Sequence, residues 1–406
     1  MELDVRVISE DERRRWFEVC NIAFSGELRD EEIENDSKLM PLERMLAAYA
    51  DDALVGTAAD YPFELTIPGG ELPAAGVTAV GVLPSHRRRG ALSGLMRRQL
   101  ADARGRGEPI AVLWASEGGI YGRYGYGIAT KAVGIEADRD RMAFDAPPDA
   151  GALVRLVEAE EAAEAFPPIY DRVRAKTAGM FKRSEDWWKL YRLADPEHRR
   201  RGAGPKFHAL LELDRQPEAY ASYRVKQNWD EGFPQSRLMV TEAVGTSPRA
   251  TRELWRFLFG VDLVGRVQAW PLAPDNPLFL LTKEPKRLRL STGDGLWLRI
   301  LDVERALSAR SYAAEGELVV DLADSLVPEN EGTWRLSAQD GAASLDRTGE
   351  AELRLGIAAL GSAYLGEVSF AELQGAELVE ELADGAVARA DALFRTTRAP
   401  WCPEVF

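Results

Sequence analysis

The stretch VTAVGVLPSHRRRGALSGLMRRQL, residues 77–100, decides the fold of the N-terminal part of this chain. It begins as an apolar, β-branched run and turns at Pro84 and Ser85. From Gly90 onward, apolar residues recur at helical spacing, at Leu92, Leu95, Met96 and Leu100. The sequence therefore predicts a strand that leads through a short basic loop into an amphipathic helix.

The basic loop has the composition of a phosphate site. The first N–H groups of a helix have no partner within the helix, and the helix dipole adds positive potential there. Arg87, Arg88 and Arg89 supply charge, and Gly90 allows close approach of the backbone. Three arginines in a row are more often a solvated surface, but their place at a strand-to-helix turn favours a phosphorylated ligand.

Length and composition indicate a soluble protein of two or three domains. The chain has 406 residues, of which 46% are hydrophobic and 29% charged, and it shows no signal segment or membrane-spanning run. The net charge of −15 argues against nucleic-acid and anionic-membrane partners. It suits a cationic substrate, although acidic surfaces also serve solubility alone.

Cysteine and histidine usage predicts neither a disulfide nor a metal site. Cys20 and Cys402 lie at opposite ends of the chain, and His198 and His208 have no further ligands at metal-binding spacing. His86, beside the basic loop, is expected to contact phosphate or solvent. A reducing cytoplasm is the expected compartment.

The order of elements predicts an α+β protein of three domains, at residues 1–146, 147–287 and 288–406. The first has predicted helices at 10–24, 41–50 and 90–104 and strands at 53–61, 63–67, 77–82 and 109–114, with a hairpin turn at 68–70. The second repeats the strand-then-helix order without a basic loop, which suggests a duplication that lost its phosphate site; an unrelated α/β domain is equally compatible. The third alternates short strands with apolar helices, including one at 376–382.

A glycine- and tyrosine-rich segment, ASEGGIYGRYGYG, follows the strand at 109–114. Together with residues 77–100 it resembles the GCN5-related N-acetyltransferase superfamily, which binds acetyl-CoA. In that family a strand pairs with the pantetheine arm and the following loop takes the pyrophosphate. The resemblance implies that the cofactor contacts are Val80, Gly81, Val82, Arg87, Arg88, Arg89, Gly90, Ala91, Leu92, Ser93, Ser116 and Glu117. Leu92 departs from the family pattern, which usually has a small residue there.

A narrower resemblance covers the whole chain. SHRRRGAL, ASEGGIYGRYGYG, the chain length and the aromatic C-terminus are similar to the Eis family of bacterial N-acetyltransferases. That resemblance implies tandem acetyltransferase domains, the second degenerate, and a sterol-carrier-protein-like C-terminal domain. It also implies homohexamers that acetylate several primary amines of substrates such as aminoglycosides, with no metal.

Three groups are expected to carry the chemistry. A protonated amine needs a base before it can attack a thioester. The resemblance assigns this role to the terminal carboxylate of Phe406. The ordinary pKa of this group is low, and burial beside Trp401 would raise it. Tyr121 would protonate the leaving thiolate; Tyr124 and Tyr126 are rivals, and the Tyr-x-x-x-Gly-aromatic spacing selects Tyr121. The N–H of Val82 would polarise the carbonyl.

The amine pocket is expected along the first helix. Trp16, Phe24, Glu27, the acidic run 30–36 and Glu404 combine aromatic rings with carboxylates, which suits a polycation. An amphipathic helix followed by a solvated acidic loop is the alternative. Two other functions stay open: a lipid or hydrophobic-ligand carrier with a vestigial acetyl-CoA domain, and a protein-lysine acetyltransferase.

Overall fold

The computed structural model describes residues 3–406. Its strands are β1 (Leu3–Val7), β2 (Met45–Ala50), β3 (Ala53–Ile67), β4 (Gly70–Val82), β5 (Ile110–Trp114), β6 (Gly127–Ile128), β7 (Lys131–Asp138), β8 (Ala152–Val157), β9 (Lys206–Leu213), β10 (Gln216–Lys226), β11 (Trp229–Asp230), β12 (Phe233–Pro234), β13 (Ser236–Gly245), β14 (Val264–Leu272), β15 (Ser291–Asp294), β16 (Leu296–Ile300), β17 (Gly316–Ala323), β18 (Gly332–Gln339), β19 (Ala342–Arg347), β20 (Leu353–Gly356) and β21 (Val379–Glu381). Its α-helices are α1 (Arg13–Ala23), α2 (Asp30–Leu39), α3 (Ala91–Gly105), α4 (Gly118–Tyr121), α5 (Ala159–Arg174), α6 (Pro248–Gly260), α7 (Leu278–Leu281), α8 (Val303–Ala309), α9 (Ile357–Tyr364), α10 (Phe370–Gly375) and α11 (Ala386–Phe394). The predicted α+β class is confirmed, and within residues 3–406 no helix is long and apolar enough to cross a membrane.

The chain divides into two compact units. The first consists of the residues up to Thr130 together with Gly295–Thr397 and Val405–Phe406, and the second of Lys131–Asp294 and Arg398–Glu404. This division differs from the expected limits at 146 and 287. The reason is strand pairing: β7 joins β14 and β15 in the second unit, while β16 pairs with β5 and β6 in the first.

The first unit contains two sheets. One has seven strands in the order β1-β2-β3-β4-β5-β16-β6, and the other has five in the order β19-β18-β17-β20-β21. The predicted strand–helix–strand crossover is confirmed, since β4 and β5 are parallel neighbours and α3 connects them along the chain. Buried Leu95, Met96 and Leu100 of α3 pack in the hydrophobic core over this sheet.

The second unit is built on a sheet of seven strands in the order β15-β7-β14-β13-β10-β9-β8. As predicted, its strands are followed by a helix, α6, which opens with Pro248 after the cap Ser247. The Ser247 side chain accepts a hydrogen bond from the N–H of Ala250 at 3.1 Å. The start of α6 therefore has a side-chain partner of its own.

The prediction of a helix at 41–50 is wrong for most of this segment. Leu42–Arg44 forms one 3-10 turn, and the next six residues form β2, every one of them buried. Leucine and alanine favour helices intrinsically, but β2 lies between β1 and β3 and pairs with both. Burial within the sheet therefore overrides the local preference.

The strands predicted at 53–61 and 63–67 are one strand, β3. Proline at position 62 indicated a break because it cannot donate to a sheet. β2 pairs with β3 only from Ala53 to Ala59, so Pro62 lies beyond that pairing and keeps its place opposite Ala75 of β4. The long strand is thus compatible with its proline.

The acidic run 30–36, for which a solvated loop is only the alternative interpretation, lies in α2. Asp30, Glu31 and Glu32 occupy the first turn of this helix and complement its dipole. The predicted helix at 376–382 is instead a turn that follows α10, and then the short strand β21. Val379 of β21 is buried and pairs with Leu355 of β20, so a partner strand determines its conformation.

A buried ion network connects β3 to the segment before β5. Arg106 lies 2.8 Å from Asp60 and 2.9 Å from Glu108, and Arg44 lies 2.6 Å from Glu108. The two carboxylates are 1% and 5% exposed. Burial raises the pKa of Asp60, and the two arginines oppose that rise. The network fixes β3 against the start of β5.

We predict that Asp60→Ala lowers the free energy of unfolding by about 3–5 kcal/mol, because it leaves two partly buried arginines, Arg44 and Arg106, with Glu108 as their one shared carboxylate. Urea denaturation measures this change. Asp102→Ala is the matched control, since it removes the exposed Arg98–Asp102 pair and should cost no more than about 0.5 kcal/mol. Equal losses in the two variants would contradict the importance of the network.

Candidate active site

An opening lies between β4 and β5, and we call it the wedge. The two strands pair only along three positions, ending at Gly76 opposite Val112. Beyond that point β4 continues to Val82 on β3, while β5 continues to Trp114 on β16. No strand within residues 3–406 fills the wedge, so an extended ligand can pair with its edge.

A bulge shapes the β4 side of the wedge. Thr57 of β3 pairs with Gly81 and Ala59 pairs with Thr78, so β4 has one extra residue, and Ala79 takes a φ of +53°. The Thr57 hydroxyl donates to the Ala79 carbonyl at 2.8 Å and holds the bulge. Residues 78–82 are partly exposed, in contrast to the buried residues 74–77.

The predicted phosphate loop lies at the end of this strand. Arg87, Arg88 and Arg89 are exposed, and within residues 3–406 neither Arg87 nor Arg88 makes an ion pair. Gly90 is the N-cap of α3 with a φ of +94°, and no side chain among the described residues 3–406 caps the helix. The loop therefore brings together two arginines without an ion pair and the first N–H groups of a 15-residue helix.

The corresponding helix of the second unit is α6, which follows β13, and it differs from α3 in its capping. Ser247 caps α6 through its own side chain, and Pro248 replaces one N–H donor. No arginine lies in the short connection between β13 and α6. The second unit therefore has no equivalent anion site at this position.

Tyr121 occupies the end of the short helix α4, in the core beneath the wedge. Its side chain is 6% exposed and belongs to a buried cluster with Ala75 and Val77 of β4. Burial raises the pKa of Tyr121 above its ordinary value of 10.0, and Glu117 and Tyr124 add to the rise. The phenol is therefore held in its protonated form and can act as an acid.

The two rival tyrosines have different surroundings. Tyr124 exchanges a hydrogen bond with Ser93 at 3.1 Å between their hydroxyl oxygens. Tyr126 is 1% exposed, its hydroxyl has no partner within residues 3–406, and its ring meets that of Tyr121 edge-on at 6.0 Å. Ser116 and Glu117 are exposed, between β5 and α4.

Phe406 contacts the strand next to the wedge. Its ring meets Phe63 edge-on with centroids 4.9 Å apart and Tyr61 at 6.2 Å. Tyr61 and Phe63 stack on each other at 5.5 Å, and each is 6% exposed. We call these two rings the aromatic seat. The sequence analysis missed them, although two aromatic residues at alternate positions of one strand are a signal for a shared face.

Tyr121 and Phe406 approach β4 from opposite faces. Tyr121 clusters with Ala75 and Val77, whereas Phe63 lies against Gly76, which points the other way because side chains alternate along a strand. Near Gly76, where β4 separates from β5, Tyr121 thus lies on one face of the strand and Phe406 on the other. A thioester held in the wedge would have one group on each side.

The predicted amine-binding residues on α1 and after it divide into two groups. Phe24 is 53% exposed and its ring borders Gly81, while Glu27 is exposed and pairs with Arg29 at 2.8 Å. Trp16, in contrast, is fully buried and donates its indole N–H to the Leu46 carbonyl at 2.7 Å. Trp16 supports the sheet rather than an open pocket.

Glu404 and Trp401 belong to the interior of the second unit. Glu404 is 0% exposed; it pairs with Arg183, which also binds Glu242, and lies 3.3 Å from Arg192. This carboxylate is committed to arginines and is not exposed to a substrate. Trp401 packs in that unit's core, and the aromatic neighbours of Phe406 are those of the aromatic seat instead.

Three family models match the chain. Residues 4–129 and residues 179–300 each match an acetyltransferase (GNAT) domain, and residues 303–403 match a sterol carrier protein domain. The predicted sequence of two acetyltransferase domains and one sterol-carrier-like domain is confirmed.

Relatives are similar over most or all of the chain. An uncharacterised N-acetyltransferase of Streptomyces avermitilis is 38% identical over the whole of both chains. The N-acetyltransferase Eis of Mycobacterium tuberculosis is 36% identical over 84% of this chain and 83% of its own. The crystal structure of Eis1 from Mycobacterium abscessus has 34% identity and a TM-score of 0.86, covering 99% of this chain and 100% of that one.

We predict that the double variant Arg87→Ala/Arg88→Ala weakens CoA binding roughly 10- to 100-fold, because two charge-assisted contacts to phosphate are lost. Isothermal titration calorimetry with CoA measures the effect, which should shrink at high salt. Arg97→Ala, an exposed arginine further along α3, is the control and should leave the affinity unchanged. Equal CoA affinity in the double variant and the parent would exclude the loop as the pyrophosphate site.

Proposed function

Since the chain belongs to the Eis family of N-acetyltransferases, we propose that it transfers the acetyl group of acetyl-CoA to primary amines of polycationic small molecules, with aminoglycosides as first candidates. The observation that carries this proposal is the contact of Phe406 with the aromatic seat, next to the residue where the wedge begins. Several amines on one substrate and a homohexameric assembly remain predictions from the resemblance.

Acetyl-CoA fits the wedge and the loop beyond it. The arm would pair with the open edge of β4 at Val80–Val82, and the pyrophosphate would meet Arg87, Arg88 and the start of α3. The N–H of Leu83 donates to the Val55 carbonyl at 2.8 Å. Because successive N–H groups alternate along an extended strand, we expect that of Val82 to point away from β3, into the wedge. Val82 lies six residues beyond Gly76, roughly 20 Å along a strand, so its N–H would meet the arm of the cofactor rather than a thioester held between Tyr121 and Phe406.

The chemistry needs a base on one side of the thioester and an acid on the other. The terminal carboxylate of Phe406 would accept a proton from the ammonium group, so that the neutral amine attacks the carbonyl. CoA then leaves as a thiolate, and the Tyr121 hydroxyl gives it a proton. Placement on opposite faces of β4 suits this division of roles.

A distal part of the polycationic acceptor is expected to lie beside Gly81, five residues along β4 from Gly76. Phe24 offers an exposed ring at that position, and Glu27 and the acidic face of α2 add negative charge nearby in the sequence. A polycation gains from both, through cation–π contact and charge pairing. The net charge of −15 also favours the approach of cations.

We predict that the protein releases thiol from acetyl-CoA with tobramycin or kanamycin, and that Tyr121→Phe lowers kcat about 100-fold or more with little change in the KM for acetyl-CoA. Thiol release measures both values. Because the pKa of Tyr121 is raised above 10.0, kcat should show no decline up to about pH 9 from loss of the acid.

Tyr124→Phe is the matched control for this variant. It removes a hydroxyl that bonds to Ser93 and should change kcat far less. Absence of thiol release with every polyamine tested would contradict the proposed function. A Tyr121→Phe rate equal to that of the parent would contradict only the role of Tyr121.

A further inference from the structure

We propose that Phe63 is a positioning residue, which holds the ring of Phe406 and thereby fixes the terminal carboxylate beside the wedge. This inference rests on the proposed function, because it assigns to Phe63 the placement of the proposed base. Phe63 itself touches neither substrate in this account. It acts through Phe406.

Phe63 lies at the junction of two features. Its ring covers Gly76, and a methyl group at position 76 would overlap that ring. Gly76 is also the last residue of β4 that pairs with β5. The absence of a side chain at this position therefore lets Phe63 lie flat over the start of the wedge.

The aromatic seat constrains Phe406 in direction as well as position. Phe63 and Tyr61 are nearly parallel, at 21°, and both meet the Phe406 ring at close to a right angle, 83° and 81°. Edge-to-face contacts are a preferred arrangement of aromatic rings. Both seat residues are buried, so their own rotamers are fixed by packing.

Holding the ring is an effective way to hold the carboxylate. Only Cβ and Cα separate the ring of Phe406 from its terminal carboxyl group, so a fixed ring leaves the carboxylate little freedom. The preceding side chain, Val405, is 41% exposed and supplies limited burial. Chain ends usually fray unless packing ties them down. The buried Glu404 ties down the chain two residues earlier, and the aromatic seat supplies that packing for Phe406 itself.

The test combines turnover with cleavage of the chain end in the full-length protein. Phe63→Leu keeps an apolar side chain but removes the ring. We expect kcat with saturating tobramycin and acetyl-CoA to fall about 10- to 100-fold, since a misplacement of about 1 Å can have an effect of this size. The affinity for CoA should not change. Release of phenylalanine by carboxypeptidase should accelerate about tenfold.

Phe207→Leu is the matched control. Phe207 stacks on Tyr223 at 5.5 Å in the sheet of the second unit and has no part in the proposed site. It should leave kcat and the release of phenylalanine as in the parent. Thermal unfolding of each variant separates loss of positioning from loss of the fold.

Gly76→Ala provides a second, independent variant. Its methyl group should displace the Phe63 ring and produce a similar loss of kcat and a similar gain in cleavage. The double variant Gly76→Ala/Phe63→Leu should lose no more than either single variant, because both act through one ring. Fully additive losses would overturn the proposal.

Two other outcomes also overturn it, and they are distinguishable from failure of the proposed function. Unchanged release of phenylalanine in Phe63→Leu would show that the seat does not hold the chain end. Faster release with unchanged kcat would show that the seat positions no base. If the parent acetylates none of the polyamines tested, the proposed function fails, while cleavage by carboxypeptidase still tests the seat without any turnover.

Discussion

The separation of β4 from β5 after Gly76 and Val112 is the constraint on which the rest of the site depends. It leaves a strand edge without a strand partner, and the energetic cost of that edge is tolerated because β4 keeps its pairing with β3. The bulge at Ala79, held by Thr57, turns this edge outward. A basic loop lies at the end of this edge and Tyr121 packs beneath it, and we propose that both serve one ligand.

The two acetyltransferase (GNAT) domains differ in how the helix after the strand begins. Each has a strand followed by a helix, but α3 begins at an uncapped glycine and α6 at a serine that satisfies its own helix. The second unit therefore lacks, at this position, the helix start on which the proposed phosphate site depends. The second unit contains a buried ion cluster of Arg183, Arg192, Glu242 and Glu404.

The sequence predicts structure that depends on neighbouring residues, but not contacts between residues far apart in the chain. The strand, loop and helix of residues 77–105 follow from periodicity and helix-start chemistry within one segment. The segment that forms β2 has the composition of a helix, and its leucine and alanine residues carry no information about the strands that pair with it on either side. The contact of Phe406 with Phe63 spans most of the chain, and no pattern of spacing contains it. The chain end was nominated by resemblance alone.

The central claim is that the terminal carboxylate of Phe406 acts as the base. Its most direct test replaces that group by a carboxamide, through ligation of a synthetic C-terminal peptide, so that the ring keeps its seat and only the basic oxygen is lost. The account predicts a fall in kcat of about 100-fold or more, while the affinity for CoA and the thermal unfolding of the protein stay unchanged. Turnover equal to that of the carboxylate form would contradict it.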